Sequence, residues 1–516
     1  MAIQKSQNIL LKRPITGLSP DKSFRTLNSP ILIAYHIFPH YKRTPACTLL
    51  QSPLTNLTSI MPIVDQLARF VQDAAYEDLS DSAAQQLKIR VLDSLGCAIG
   101  ALDGAPIHAL RAHLVDFGGN EDVTLLGGGQ TAPDRAALYN SALVRYLDYN
   151  DSYLAEGETC HPSDNLGSVM AATEYAGGSG KDLLTALAVA YQVQCRLSDE
   201  APVRAKGFDH TVQGQYAAAA GAAKALGLTP EQTANAIAIS GTAHNALRVT
   251  RTGEISHWKG LAYPETGFTA THSAFLARRG ITGPPEVFEG NKGFMHSIAG
   301  EFEIDWAAED LERVTDTIIK KYNAEIHSQA TLEGALELKR EHDIDPAVID
   351  KIEVDTFDVA FDIIGGGEEG DKTIVRRKEE ADHSLHYMTA VALLDDQVLP
   401  AQYEQSRIEA DDVQSLLRTV DVQERPEYSD RFPGHMVCDI RIHADGEVYE
   451  THKEDYEGFH TRPMSWDTVS EKFVRLAEPY TEVALREDII EAVQDLKTLP
   501  VTDLLDLLAQ VETPDA

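Results

Sequence analysis

Residues 216 to 224 read Tyr-Ala-Ala-Ala-Ala-Gly-Ala-Ala-Lys, and no other stretch narrows the architecture as much. A helix made of such small residues presents almost no bulk, so neighbouring helix axes approach closely, and the segment belongs at the centre of a large helical domain. The punctuation agrees. Leu226-Gly227-Leu228 ends the helix at glycine, and Thr229-Pro230-Glu231-Gln232 opens the next with a capping box and a proline in its first turn. The stretch is packing, and not a cofactor loop.

Helical spacing runs through the first part of the chain. Ile63, Val64, Leu67, Phe70 and Val71 recur at the helical period, and Leu79, with Ser80 or Ser82 as cap, leads into Leu87, Val91, Leu92 and Leu95. After about residue 318 the period changes. Ile352, Val354, Thr356, Phe357 and Val359 approach strand alternation, and 437–443 alternates before an Asp445-Gly446 turn and a second run at 448–451, which predicts a smaller mixed domain with an antiparallel sheet. From Trp466 the helical period returns through Val469, Phe473, Leu476 and the leucines at 504–508, so the chain is expected to come back onto the first domain. The expected fold is mostly α with a smaller α+β domain: a helical domain at 61–318, an α/β domain at 319–463 and returning helices at 464–516. The length of 516 residues also favours more than one domain.

Residues 1–60 stand apart. They hold seven basic residues and one acid, Asp21, and their one apolar run, 31–38, is too short to span a bilayer. They read as a poorly structured upstream extension or a misassigned start, with Met61 opening the functional protein; a transit peptide is the other reading.

The formal net charge is −35, and the extension carries +6, which leaves −41 for the rest. That balance excludes nucleic acid and an anionic membrane surface as partners. Acids spread along helices and turns suggest a halophilic cytoplasmic protein, against the plainer alternative of an acidic cytosolic enzyme. Five cysteines without paired spacing argue for reduced thiols and against a disulfide framework, a cysteine-bound metal or an iron–sulfur cluster. The glycine-rich segment 365–371 lacks the P-loop lysine and is acidic, so it reads as a mobile loop.

Chemistry concentrates at 145–168, where Asp148, Asp151, Ser152 and His161 fall within a short span containing Gly157 and Pro162. Carboxylate and imidazole are the side chains most readily tuned to exchange protons near neutral pH, so the cluster reads as part of an acid/base site. The same residues also suit turn and cap positions. Cys160 beside His161 has the neighbour a nucleophile needs, but adjacent residues rarely point at each other.

Eight strings in order carry a resemblance: DSLGCAIGAL (93–102), LDYND (147–151), HPSDN (161–165), GFDHTVQG (207–214), RTGEISHWKG (251–260), KKYNAEIHSQ (320–329), ADHSLHYM (381–388) and RPMSWDTVSEKF (462–473). From about residue 61 to the end the chain resembles the MmgE/PrpD family, which contains 2-methylcitrate dehydratases and cis-aconitate decarboxylases. The resemblance implies a large multihelical domain made from both ends of the chain, an inserted α/β lid domain, and a homodimer. It also implies a site in the cleft between domains, without metal or cofactor, for a small di- or tricarboxylate.

Carried over by matching motif, the catalytic set is Asp148, Ser152, His161, His210, Lys320 and Tyr387. Substrate binding falls to Lys259, Arg251 and Lys321. Asp148 is expected to orient or charge an imidazole. Lys259 stands where dehydratase-like members carry lysine; decarboxylase-like members place one slightly earlier, where this chain has 254–256. His383 and His386 read as surface or core polar residues, and Arg248 and Arg251 as carboxylate ligands or as partners of local acids. The expected activity is a cytoplasmic, cofactor-free hydro-lyase converting 2-methylcitrate to 2-methyl-cis-aconitate in propionate metabolism. Two alternatives stand beside it: a decarboxylase or another lyase or isomerase of the same family, and a non-catalytic helical binding protein whose site residues need not converge.

Overall fold

The computed structural model describes residues 61–514, so the extension read at 1–60 lies outside the described residues. The alanine block forms the helix Thr211–Ala225, buried along nearly its whole length. Around it pack Leu166–Ala176, Gly180–Glu200, Pro230–Ala243 and Trp258–Arg278. The approach is as close as the sequence requires. A Cβ placed on Gly214 would fall 2.4 Å from the Tyr263 ring, and one on Gly221 would fall 2.8 Å from Val169. The capping box at Thr229 forms, with Gln232 closing it.

The last helices join the same core. Trp466–Ala477 packs on Asp81–Gly100 so tightly that a Cβ on Gly96 would meet the Phe473 backbone at 3.2 Å. Val469, Phe473 and Leu476 are buried there, and three such side chains stabilise the contact by roughly 5–9 kcal/mol. One hydrophobic core thus gathers residues from Val64 to Ile319 together with Met464 to Val511.

A second core runs from Ile318 to Phe459 around a four-stranded sheet. Its strand order is Val420–Glu424, Ile349–Thr356, Cys438–Ala444, Glu447–Lys453. The last two strands form the hairpin expected at Asp445-Gly446, with both turn residues at positive φ. The sheet departs from the antiparallel expectation at one place, because Val420–Glu424 runs parallel to Ile349–Thr356. These two strands are joined by a long, largely helical crossover, the connection that parallel pairing demands. The helices Gln329–His342 and Leu385–Asp395 pack on the sheet and on each other. The fold is mostly α-helical with a smaller α+β part.

Cys97, Cys160, Cys195 and Cys438 are buried free thiols, while Cys47 falls outside the described residues. Among the described residues no helix is long and apolar enough to cross a membrane.

Candidate active site

The helix Pro133–Tyr146 ends just before Asp148, which takes the left-handed conformation with φ of 55°. A non-glycine residue there costs about 1 kcal/mol or more and persists only where its surroundings hold it. Arg145 donates to Asp148 Oδ1 at 2.5 Å, and Lys320 donates both to Oδ1 at 2.8 Å and to the Asp148 carbonyl at 2.6 Å. Lys259 lies 3.2 Å from Oδ2. Burial alone would raise the Asp148 carboxyl, but Arg145, Lys320 and Lys259 hold it well below the usual carboxylate range.

Beyond Asp148, Ser152 exchanges two backbone hydrogen bonds with Ile318. The short hairpin Tyr153–Ala155 and Glu158–Cys160 then folds the chain back. His161 therefore returns over its own loop, with Nδ1 2.8 Å from the Asp151 carbonyl and 3.1 Å from Ser152 Oγ. A carbonyl only accepts, so Nδ1 carries the proton and Nε2 keeps its lone pair. The Asp151 carboxylate supports this loop, accepting from Ser163 and from the Tyr191 hydroxyl. Cys160 packs against Cys195, away from any role as a nucleophile.

His210 stands edge-on to His161, with ring centroids 5.3 Å apart, at the N-terminus of the alanine helix. Its Nδ1 is 3.0 Å from Asp209 Oδ1, and Arg251 holds Asp209 through bonds of 2.6 and 3.3 Å. Its Nε2 is buried without a protein partner. Burial pushes His161 well below the ordinary histidine range and His210 down to about 3, so both rings are neutral at pH 7.

These groups line one narrow cleft. Asp148, His161, His210 and Lys320 all reach it. Its cations are Arg145, Arg204, Arg248, Arg251 and Lys320, facing the carboxylates of Asp148, Glu158, Glu325 and Glu369. A protein of net charge −35 thereby presents a cleft in which cations outnumber carboxylates. Behind the wall, Lys259 bridges Asp148 to the α+β part, with Nζ 3.0 Å from Asp382 and 3.0 Å from His383 Nδ1. Asp148, Asp382 and His383 offer three ligand atoms within 4.8 Å of one another, as a metal site would. The Lys259 ammonium already lies among them and supplies the positive charge.

Several expected placements do not hold. Tyr387 is fully buried in the α+β core and gives its hydroxyl to the Gln402 carbonyl, because the cap at Ser384 turns the first helical residues inward. Lys321 points to Glu333 and Glu457 outside the cleft, at 2.9 and 3.0 Å. Arg251 lines the cleft, yet its guanidinium is committed to Asp209. Asp148 accepts from no imidazole among the described residues; it anchors cations, its nearest ring is His383 at 3.8 Å, and its charge favours the protonated form of His161. His383, read as a bystander, lines the cleft, whereas its neighbour His386 does not. The acidic glycine-rich segment read as mobile folds onto the helical part, where Glu369 meets Arg248 at 2.7 Å.

Sequence reasoning also passed over Arg145, Arg204, Glu325 and His327. Three of them had a signal. Arg145 precedes Asp148 by one helical turn, and Glu325 and His327 fall inside a string that already contained Lys320. In the cleft Glu325 Oε1 binds His327 Nδ1 at 2.8 Å, which leaves His327 Nε2 buried and unpartnered.

Family comparison matches the two parts separately. The MmgE/PrpD N-terminal domain matches residues 65–307, and the MmgE/PrpD C-terminal domain matches residues 322–498. The chain belongs to the MmgE/PrpD family. Within it, the chain is 28% identical over 467 residues to the 2-methylcitrate dehydratase of Escherichia coli (strain K12), covering 84% of this chain and 94% of that protein. It is 25% identical over 476 residues to the mitochondrial 2-methylcitrate dehydratase of Yarrowia lipolytica, covering 86% and 89%. It is 24% identical over 464 residues to the cis-aconitate decarboxylase of Mus musculus, covering 85% and 91%.

Proposed function

We propose that this MmgE/PrpD protein is a hydro-lyase that dehydrates a small tricarboxylate, converting 2-methylcitrate to 2-methyl-cis-aconitate without a metal or organic cofactor. The observation that carries the reading is the facing pair of neutral imidazoles, His161 and His210, in a cleft whose cations outnumber its carboxylates. Dehydration of a β-hydroxy carboxylate needs a base for a carbon-bound proton, an acid for the departing hydroxyl, and cations for the enolate character that develops between.

The two rings differ in what stands behind them. His210 has the Asp209 carboxylate at Nδ1, which stabilises an imidazolium, so its Nε2 takes the proton from the carbon next to a carboxylate. His161 has only a carbonyl and a hydroxyl behind Nδ1, so its protonated form is the stronger acid. Binding of a trianion raises the proton affinity of His161, which takes up a proton at Nε2 as the substrate binds and delivers it to the leaving hydroxyl, while His210 stays neutral until it takes the carbon-bound proton. The electron pair of the broken C–H bond becomes the new double bond, and water departs. Lys320 and Arg145 stabilise the carboxylate as it takes on negative charge, and Ser152 fixes the His161 ring. In this reading the cleft lies between a helical domain of residues 61–318 and 464–516 and an inserted lid of 319–463, in a cytoplasmic homodimer.

The names of the relatives support dehydration, and the mouse protein's name gives the alternative. Full-length protein supplied separately with 2-methylcitrate, citrate and cis-aconitate distinguishes them. Ultraviolet absorbance of a new double bond from 2-methylcitrate, without carbon dioxide, is the expected result. Carbon dioxide released from cis-aconitate would replace the reading with decarboxylation.

A further inference from the structure

One carboxylate in the cleft is held differently from the others. Glu369 Oε1 lies 2.7 Å from Arg248 Nη2 and 3.8 Å from Arg204 Nη2, while its Oε2 is buried with no partner. All three residues line the cleft that contains His161 and His210.

The backbone that carries the two arginines is anchored independently of Glu369. The Arg204 amide donates to the buried Glu158 carboxylate, and the Arg248 amide donates to the Gly207 carbonyl. Their segments are further tied by the bridge between Phe208 and Leu247. Glu369, by contrast, comes from the α+β part on a loop bounded by Gly366 and Gly370, with φ of 108° and 94°. The Glu369 amide donates to the Asp362 carbonyl at 3.0 Å, so the carboxylate re-aims by rotation of its own side chain while the backbone stays in place. Burial and the facing Arg248 charge weaken the hold of Arg204 on its proton, which is the electrostatic reason an anion is needed between them.

We propose that Arg204 and Arg248 form a carboxylate-binding subsite for a non-reacting carboxylate of the substrate, and that Glu369 occupies this subsite in the empty protein and yields it on binding. The inference rests on the carboxylate-substrate reading above and adds where a further carboxylate is recognised. With Glu369 in place, five cations line the cleft against four carboxylates; with Glu369 displaced, they face three. The change frees charge for one more carboxylate, and a planar guanidinium pair suits that group. Because the competitor is tethered, apparent affinity is reduced by the fraction of time it occupies the site.

The test is calorimetric binding of propane-1,2,3-tricarboxylate, which has no hydroxyl to lose, to the full-length protein. Glu369→Gln should tighten binding by about tenfold, because the tethered competitor is gone. Arg248→Met and Arg204→Met should each weaken it by about tenfold or more. In the double variant of Glu369→Gln with Arg248→Met the tightening should vanish, and Arg248→Lys, which keeps the charge but loses the fork, should weaken binding less than methionine. Glu369→Gln binding no tighter than wild type, or tightening that survives Arg248→Met, overturns the subsite. Turnover of 2-methylcitrate by the wild type is read separately. Turnover with no Glu369 effect sinks the subsite and leaves the function; the expected binding pattern without turnover does the reverse.

Discussion

Lys320 Nζ lies 2.8 Å from Asp148 Oδ1 and 2.6 Å from the Asp148 carbonyl oxygen, across 172 positions of sequence. The contact joins a turn of the helical core to the segment that leads into the second core, and both side chains are buried. It explains why Asp148 can keep its left-handed backbone: the conformation that costs energy locally is the one that presents the carbonyl and the carboxylate to the same ammonium.

Asp148→Asn should remove the charge that Arg145, Lys320 and Lys259 share. Breaking one side of a buried ion cluster leaves the other side unpaired, at a cost of about 3–5 kcal/mol. Denaturant unfolding should show that loss together with abolished turnover, and adding Lys320→Met should cost less than the sum of the two single changes. Unchanged stability in Asp148→Asn would mean that the three cations find other partners.

His161→Gln should reduce kcat by about 10²-fold to 10⁴-fold, the range for a lost acid/base group, while the melting temperature changes little. Ser152→Ala should cost much less, because the Asp151 carbonyl still accepts from Nδ1. Equal losses in the two variants would assign the chemistry to the hydroxyl rather than to the ring.

Tyr387→Phe should leave kcat near the wild-type value and lower stability by about 1–3 kcal/mol, since the buried Gln402 carbonyl loses its donor. A large fall in kcat with unchanged stability would return Tyr387 to the site where motif matching put it.

Tyr387 also shows what the sequence could and could not say. Asp148, His161, His210, Lys259 and Lys320 were legible because each falls in a distinctive local string, and the structure brings all five to the cleft or its wall. The string ADHSLHYM held both Tyr387 and His383, but which one faces the cleft depends on where the helix starts. The Ser384 cap sets that phase, turning Tyr387 into the core and leaving His383 beside Asp148. Glu369 was illegible for a different reason, since its meaning comes from Arg248, 121 positions away. The fold divides similarly. The alanine helix and the Asp445-Gly446 hairpin are local patterns, whereas the parallel pairing of Ile352 with Val420 depends on a crossover that no short window contains.

A salt titration should separate the halophilic reading from the plainer acidic one. The formal net charge of −35 makes self-repulsion strong at low ionic strength, where the screening length is longest. A halophilic protein should unfold in dilute buffer and recover in molar KCl, as read by circular dichroism. A melting temperature that does not change with salt would remove halophily and leave an acidic protein of ordinary stability.

The buried histidines should make the protein acid-sensitive, and the sign follows from their direction of shift. Unfolded histidine binds a proton near pH 6.5, whereas native His210 does so only near 3 because burial opposes its charge. The stability this ring contributes is therefore complete above about pH 6.5 and is lost as pH falls toward 3, at up to about 1.4 kcal/mol per pH unit. Burial lowers His161 and His383 too, so they act in the same direction. Asp164, pushed up to about 7 by burial, acts in the opposite sense, gaining its proton in the native state first. The clean measurement is therefore a difference between variants. Between pH 6 and 5 the unfolding free energy of His210→Gln should fall less steeply than that of the wild type by about 1.4 kcal/mol per pH unit. Parallel curves would show that His210 takes its proton equally well folded and unfolded, and would remove the burial on which its role as a neutral base depends.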